Sequence, residues 1–142
     1  MASARAQCAF TLIELLIVSI VLVVLLAMAH PAYEAVVLKG RRLAAAALLQ
    51  EAWARQESYR QRWGSYALAM VDLGLPEPSY VTAEGLVAEP GGAYYQMRLE
   101  WQGDKYQGIS LEPISRQRRD PCASLSVDLA GSISASGEAR CP

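Results

Sequence analysis

Apolar residues run from Phe10 to Ala29 with only Thr11, Glu14 and Ser19 between them. As a helix, a run of ~20 residues rises ~30 Å, enough to cross a bilayer. Pro31 follows at once. Proline lacks an N–H and clashes with the preceding turn, so a kink or break is expected near His30. Beyond it the pattern becomes amphipathic. Ala45, Leu49, Ala52/Trp53, Gln56, Tyr59 and Trp63 follow the 3–4 spacing of one helical face, which predicts a helix to about Trp63. Gly40 weakens it by about 1 kcal/mol relative to Ala, and Leu43, Ala44 to Ala47, Leu48 and Leu49 restore propensity. Trp53, Tyr59 and Trp63 are expected to pack on a sheet, and Gly64 to end the helix.

Residues 64–93 hold Gly74, Pro76, Pro78, Gly85, Pro90, Gly91 and Gly92, and read as connecting turns. Alternation then takes over. Tyr95, Met97, Leu99 and Trp101 fall on one side of a strand, Tyr94, Gln96, Arg98 and Glu100 on the other. Gln102-Gly103-Asp104 reads as a hairpin turn. The return strand, Lys105 to Glu112, sets Tyr106, Gly108, Ser110 and Glu112 opposite Gln107, Ile109 and Leu111. Leu125, Val127 and Leu129 mark a third strand, Ala130-Gly131 a turn, and Ser132-Ile133-Ser134 a short fourth. The simplest architecture is α+β: one long helix against one face of an antiparallel sheet.

The chain of 142 residues suits one small domain beside a membrane segment. Thirteen Lys and Arg against 14 Asp and Glu leave a net charge of -1, which gives no global case for nucleic-acid binding. Two basic groups stand out locally. Lys39, Arg41 and Arg42 lie just past the apolar run, as a solvated face or one that meets anionic headgroups or acidic neighbours in a fibre. Arg116, Arg118 and Arg119 form a solvated loop or a contact for DNA phosphates. A single histidine, His30, argues against a multi-histidine metal centre or a Ser-His-Asp triad. With no phosphate loop, no Cys-x-x-Cys and no nucleophile beside a histidine base, neither enzymatic activity nor a cofactor or metal is expected. Of three cysteines, Cys8 precedes the apolar run, while Cys122 and Cys141 can pair in an oxidising compartment; two free thiols are the alternative. A bridge closing ~20 residues contributes roughly 3 kcal/mol in the chain-entropy model.

Glu14 is the costly residue. A charge in hydrocarbon costs roughly 2.5–3.5 kcal/mol on insertion scales. From the residues alone three readings of the segment stand: a plain anchor, a secretory signal cut after Ala27-Met28-Ala29 with Arg5 as its positive start, or a leader cut before the apolar run.

Phe10-Thr11-Leu12-Ile13-Glu14 resembles the type IV pilins. In that family a prepilin peptidase cuts a short leader between Gly and Phe, and the new N-terminal Phe is methylated. Here Ala9 stands where the family usually has Gly. The resemblance implies cleavage between Ala9 and Phe10, N-methylation of Phe10, and a pairing of Glu14 with the N-terminal cation of a neighbouring subunit. The physics agrees, since a partner ammonium offsets much of the cost of a carboxylate in low dielectric, and methylation keeps its charge. Pro31-Ala32-Tyr33 is similar to the family's proline region, where the helix melts locally during fibre packing. Asp120-Pro121-Cys122, Leu125 to Asp128, Gly131 and Cys141 resemble the tail of PilE-like minor pilins, which implies a Cys122–Cys141 disulfide.

The resemblance thus implies a pilin fold: leader 1–9, transmembrane and assembly helix 10–30, amphipathic helix 31–63, connecting region 64–93, and sheet with disulfide-bounded tail 94–142. The function it implies is that of a structural subunit, a minor pilin of a type IV pilus. Its implied partners are other pilin subunits, prepilin peptidase and the assembly machinery. The implied location is the inner membrane, soluble domain periplasmic, and then the extracellular pilus. The alternatives are a type II secretion pseudopilin, a DNA-binding competence pilin, and a periplasmic domain released at Ala29.

Overall fold

The computed structural model describes residues 11–88, 90–137 and 141. The element that dominates is α1, Leu12–Trp63. Thr11 caps its start, accepting the Glu14 backbone N–H on its hydroxyl at 3.3 Å. Thr11-x-x-Glu14 is thus half of a capping box, with Glu14 in the first turn where the helix dipole favours an anion. At the far end Gly64 turns left-handed at φ 75° and donates to Arg60 O at 2.8 Å. The backbone stays helical through His30 and Pro31, so the break considered there does not occur. Proline removes one intrahelical bond, and a long helix tolerates that loss where neighbouring turns carry it.

Two compact parts divide at Val36/Val37. In the first, every described side chain from Thr11 to Met28 is exposed. Ser19, the one hydroxyl inside the apolar run, donates to Leu15 O at 2.8 Å and so hides its polarity within the helix.

The second part packs the rest of α1 on an antiparallel sheet of six strands: β1 (Ser79–Val81), β2 (Val87–Ala88), β3 (Tyr95–Gln102), β4 (Lys105–Pro113), β5 (Leu125–Asp128) and β6 (Ile133–Ala135). Their order is β2-β1-β3-β4-β5-β6. Ala45, Leu49 and Ala52 of α1 are fully buried, and so are Tyr95, Ile109 and Leu111 of the sheet. The alanines let helix and sheet approach, and burying each large apolar side chain contributes roughly 1.5–3 kcal/mol. Gln56, in the same stripe, is fully buried and polar. Its amide donates to Ala67 O at 3.2 Å and accepts from Ala67 N at 3.1 Å, so it clamps the chain as it leaves the helix.

Four expectations are corrected here. Residues 64–93 supply β1 and β2 rather than turns alone. The β1–β2 loop closes on α1 at Gly85, φ 74°, where an added Cβ would lie 2.5 Å from Ala44 O. In β4 the alternation slips. Trp101 pairs with Tyr106 but Glu100 with Gly108, so Gln107 is an extra residue and Tyr106 joins Ile109 and Leu111 in the core. Trp63 is 66% exposed rather than packed on the sheet, and its ring lies beside that of Tyr59 one turn earlier on α1. Leu129 likewise lies beyond β5 and is exposed.

Candidate functional site

The two basic segments of the sequence meet. Three ties join α1 to the 3-10 turn Ser115–Arg119 that follows β4. Gln117 turns inward, fully buried, and its amide donates to Leu38 O at 3.1 Å across 79 positions of sequence. Arg42 is buried and pairs with Asp120 at 2.6 Å. Arg41 lies over the Tyr94 ring at 3.7 Å, and Tyr94 O accepts the Ile114 N–H at the entry to the turn.

Asp120 is the hub. One carboxylate oxygen takes Arg42 and the Cys122 N–H, the latter at 3.0 Å. The other takes the Gln117 amide at 2.8 Å and lies 3.5 Å from the Tyr95 hydroxyl. A buried carboxylate is tolerable only with such partners. Burial pushes the Tyr95 phenol well above its ordinary pKa, and the Asp120 charge pushes it further. The Cys122–Cys141 disulfide, Cα atoms 5.7 Å apart, stands next along the chain and ties Cys141 to this knot. Ser115 and Ala123 take left-handed backbone at φ 55° and 51°, a conformation that non-glycine residues hold only when their surroundings demand it.

With Gln117 and Asp120 turned in, Arg116, Arg118 and Arg119 are exposed on the other side of the turn. Lys39 is exposed and Arg41 half-buried on the adjoining part of α1. The two basic segments are thus tied to each other through a buried polar knot. The solvated-face reading of residues 39–42 is therefore corrected for Arg42, which is internal. Sequence spacing carried no sign of the Arg42–Asp120 pair, because only the tertiary fold brings the two together.

The other candidate residues distribute differently. Ala9 and Phe10 lie outside the described residues. Glu14 is in the first turn of α1 and Pro31 within α1. The Thr-x-x-Glu spacing would have revealed the capping contact of Thr11 with Glu14. Among the described residues no group of three His, Cys, Asp or Glu side chains could hold a metal.

A long apolar N-terminal helix, an antiparallel sheet on its second half and a disulfide-closed tail define a pilin. Comparison with known families refines that class. A family model described as the type IV minor pilin ComP, DNA uptake sequence receptor, matches residues 31–126, more than half of the chain. A model of the prokaryotic N-terminal methylation motif matches residues 4–29. The chain belongs to the type IV minor pilin ComP family. No curated protein matches it. It is a minor type IV pilin, of a family that is structural rather than catalytic and that assembles with other pilins and the pilus machinery.

Proposed function

We propose that this minor pilin captures DNA for uptake through the surface formed by Lys39, Arg41, Arg116, Arg118 and Arg119. The observation that carries this reading is that two basic segments distant in sequence are tied together by Gln117 and Asp120. The description of the matching family as a DNA uptake sequence receptor supports it. The chain's net charge of -1 does not oppose it, because phosphate contacts depend on local charge. A mobility-shift series with duplex DNA tests it: binding weakens steeply as salt rises, as counterion release requires. Absence of salt-sensitive binding would refute it.

The subunit reaches the fibre by the family's route. Residues 1–9 are a leader that prepilin peptidase removes between Ala9 and Phe10, and Phe10 is then methylated. Segment 10–30 is the membrane and assembly helix, 31–63 the amphipathic helix, 64–93 a connection that also carries β1 and β2, and 94–142 the rest of the sheet and the tail. The soluble part faces the periplasm before assembly and the outside after it. Glu14 meets the N-terminal ammonium of a neighbour; an apolar helix long enough to cross a membrane, with one carboxylate near its start, supports that role. Glu14→Ala is expected to reduce the subunit's recovery in sheared pili, and unchanged recovery would exclude the pairing. N-terminal sequencing of the mature protein separates methylated Phe10 from His30, the start that a cut at Ala29 would leave.

A further inference from the structure

The end of α1 and the 3-10 turn Met70–Leu73 border a groove of about 420 Å³. Its apolar wall is an aromatic corner. The Tyr59 and Trp63 rings lie 6.3 Å apart between centroids and 41° from coplanar. Trp53 and Trp101 are half-buried, whereas Trp63, the last residue of α1, is 66% exposed. Leaving so large an apolar ring in water forfeits the stabilisation that burial gives.

The polar groups of the groove are balanced. Glu51 pairs with Arg55 at 2.6 Å, and Arg55 also donates to Leu73 O at 3.1 Å. Asp72 supplies an acceptor and Arg62 a donor. Among the described residues, the Arg62 guanidinium and the Ser58 hydroxyl have no partner, and both line the groove. Two carboxylates and two guanidiniums leave the groove without net charge. A phosphate backbone calls for a positive groove, as the basic surface at the other segment provides. A neutral ligand rich in hydroxyls fits instead, because each hydroxyl both donates and accepts. Its C–H edges carry partial positive charge and suit the negative face of an indole. The volume falls in the range of small-ligand sites.

We propose that this groove binds a neutral saccharide, stacked on Trp63 and held by Arg62, Ser58 and Asp72. This goes beyond DNA capture and uses a separate surface. The test titrates the full chain, in a detergent without a sugar headgroup, with chitotetraose and with maltotetraose, following tryptophan fluorescence and binding heat. A saturable change with at least one sugar is expected. Trp63→Ala removes the fluorescence response and weakens binding about tenfold or more, the scale set by loss of one stacking ring. Arg62→Ala weakens it severalfold, and DNA binding is unchanged in both variants. Trp63 is exposed, so an unaltered melting curve verifies that the variant folds. No saturable change with either sugar at ~10 mM, ten times a millimolar Kd, overturns the proposal. Equal sugar binding by Trp63→Ala overturns it too. So does Trp63-dependent binding of an oligothymidine in place of sugar, or Trp63-dependent self-association of the chain.

Discussion

One helix serves two regions under opposite rules. From Leu12 to Met28 its side chains are, Glu14 and Ser19 apart, apolar all round, and all are exposed, so that half finds its partners in lipid or in other helices. From Ala45 to Gln56 a single face is buried on the sheet, and the partners are internal. The first half needs nothing from the rest of this chain, whereas the second is inseparable from it. Damage to the sheet side should therefore unfold the soluble part and leave the stem helical, which the following variants test in descending order of effect.

Asp120→Ala should be the most disruptive. It leaves Arg42 buried without its anion and frees Gln117, and breaking a buried pair in this way costs about 3–5 kcal/mol. Urea unfolding of the chain in detergent should show a soluble part destabilised by that amount beside an unaltered stem helix signal. Removing the disulfide by Cys122→Ala with Cys141→Ala should cost about 3 kcal/mol, given a sequence separation of 19. A smaller loss, about 1–3 kcal/mol, is expected for Gly85→Ala, which puts a Cβ against the Ala44 carbonyl at a left-handed position. A melting temperature equal to that of the parent would show that the β1–β2 loop does not press on α1.

Tyr106→Phe should change little at neutral pH. The hydroxyl is buried with no partner, so its removal is close to neutral or slightly stabilising. The alkaline limb differs. Burial first, with nearby charge adding to it, raises the folded-state pKa of both Tyr95 and Tyr106 above the ordinary value near 10. A raised folded pKa favours the protonated folded form. That stability is complete below pH ~10 and is lost as the pH climbs above it, when the unfolded chain releases protons first. Urea midpoints measured from pH 8 to 11 should fall in the parent and fall less steeply in Tyr106→Phe.

Much of this was legible in the sequence, and the illegible parts share a cause. The stem, the amphipathic stripe and the β3–β4 hairpin depend on neighbours close in sequence, so periodicity and turn residues revealed them. Tyr106 went to the wrong face because a one-residue bulge reverses alternation without any composition signal. β1 and β2 were hidden among prolines and glycines, although Tyr80-Val81-Thr82 and Leu86-Val87 flank a Glu84-Gly85 turn. At the candidate site the exposed arginines were visible as a run. Their union with Lys39 and Arg41 was not, because it rests on Gln117 meeting Leu38 and Asp120 meeting Arg42. Contacts so distant in sequence leave no periodic trace.

That union is the central claim, and the salt dependence of DNA binding measures it most directly. If Lys39 and Arg118 belong to one phosphate-binding surface, Lys39→Ala and Arg118→Ala should each reduce the slope of log K against log salt by about 1, and the double variant by about 2. A double variant whose slope equals that of either single variant, or of the parent, would contradict a shared surface.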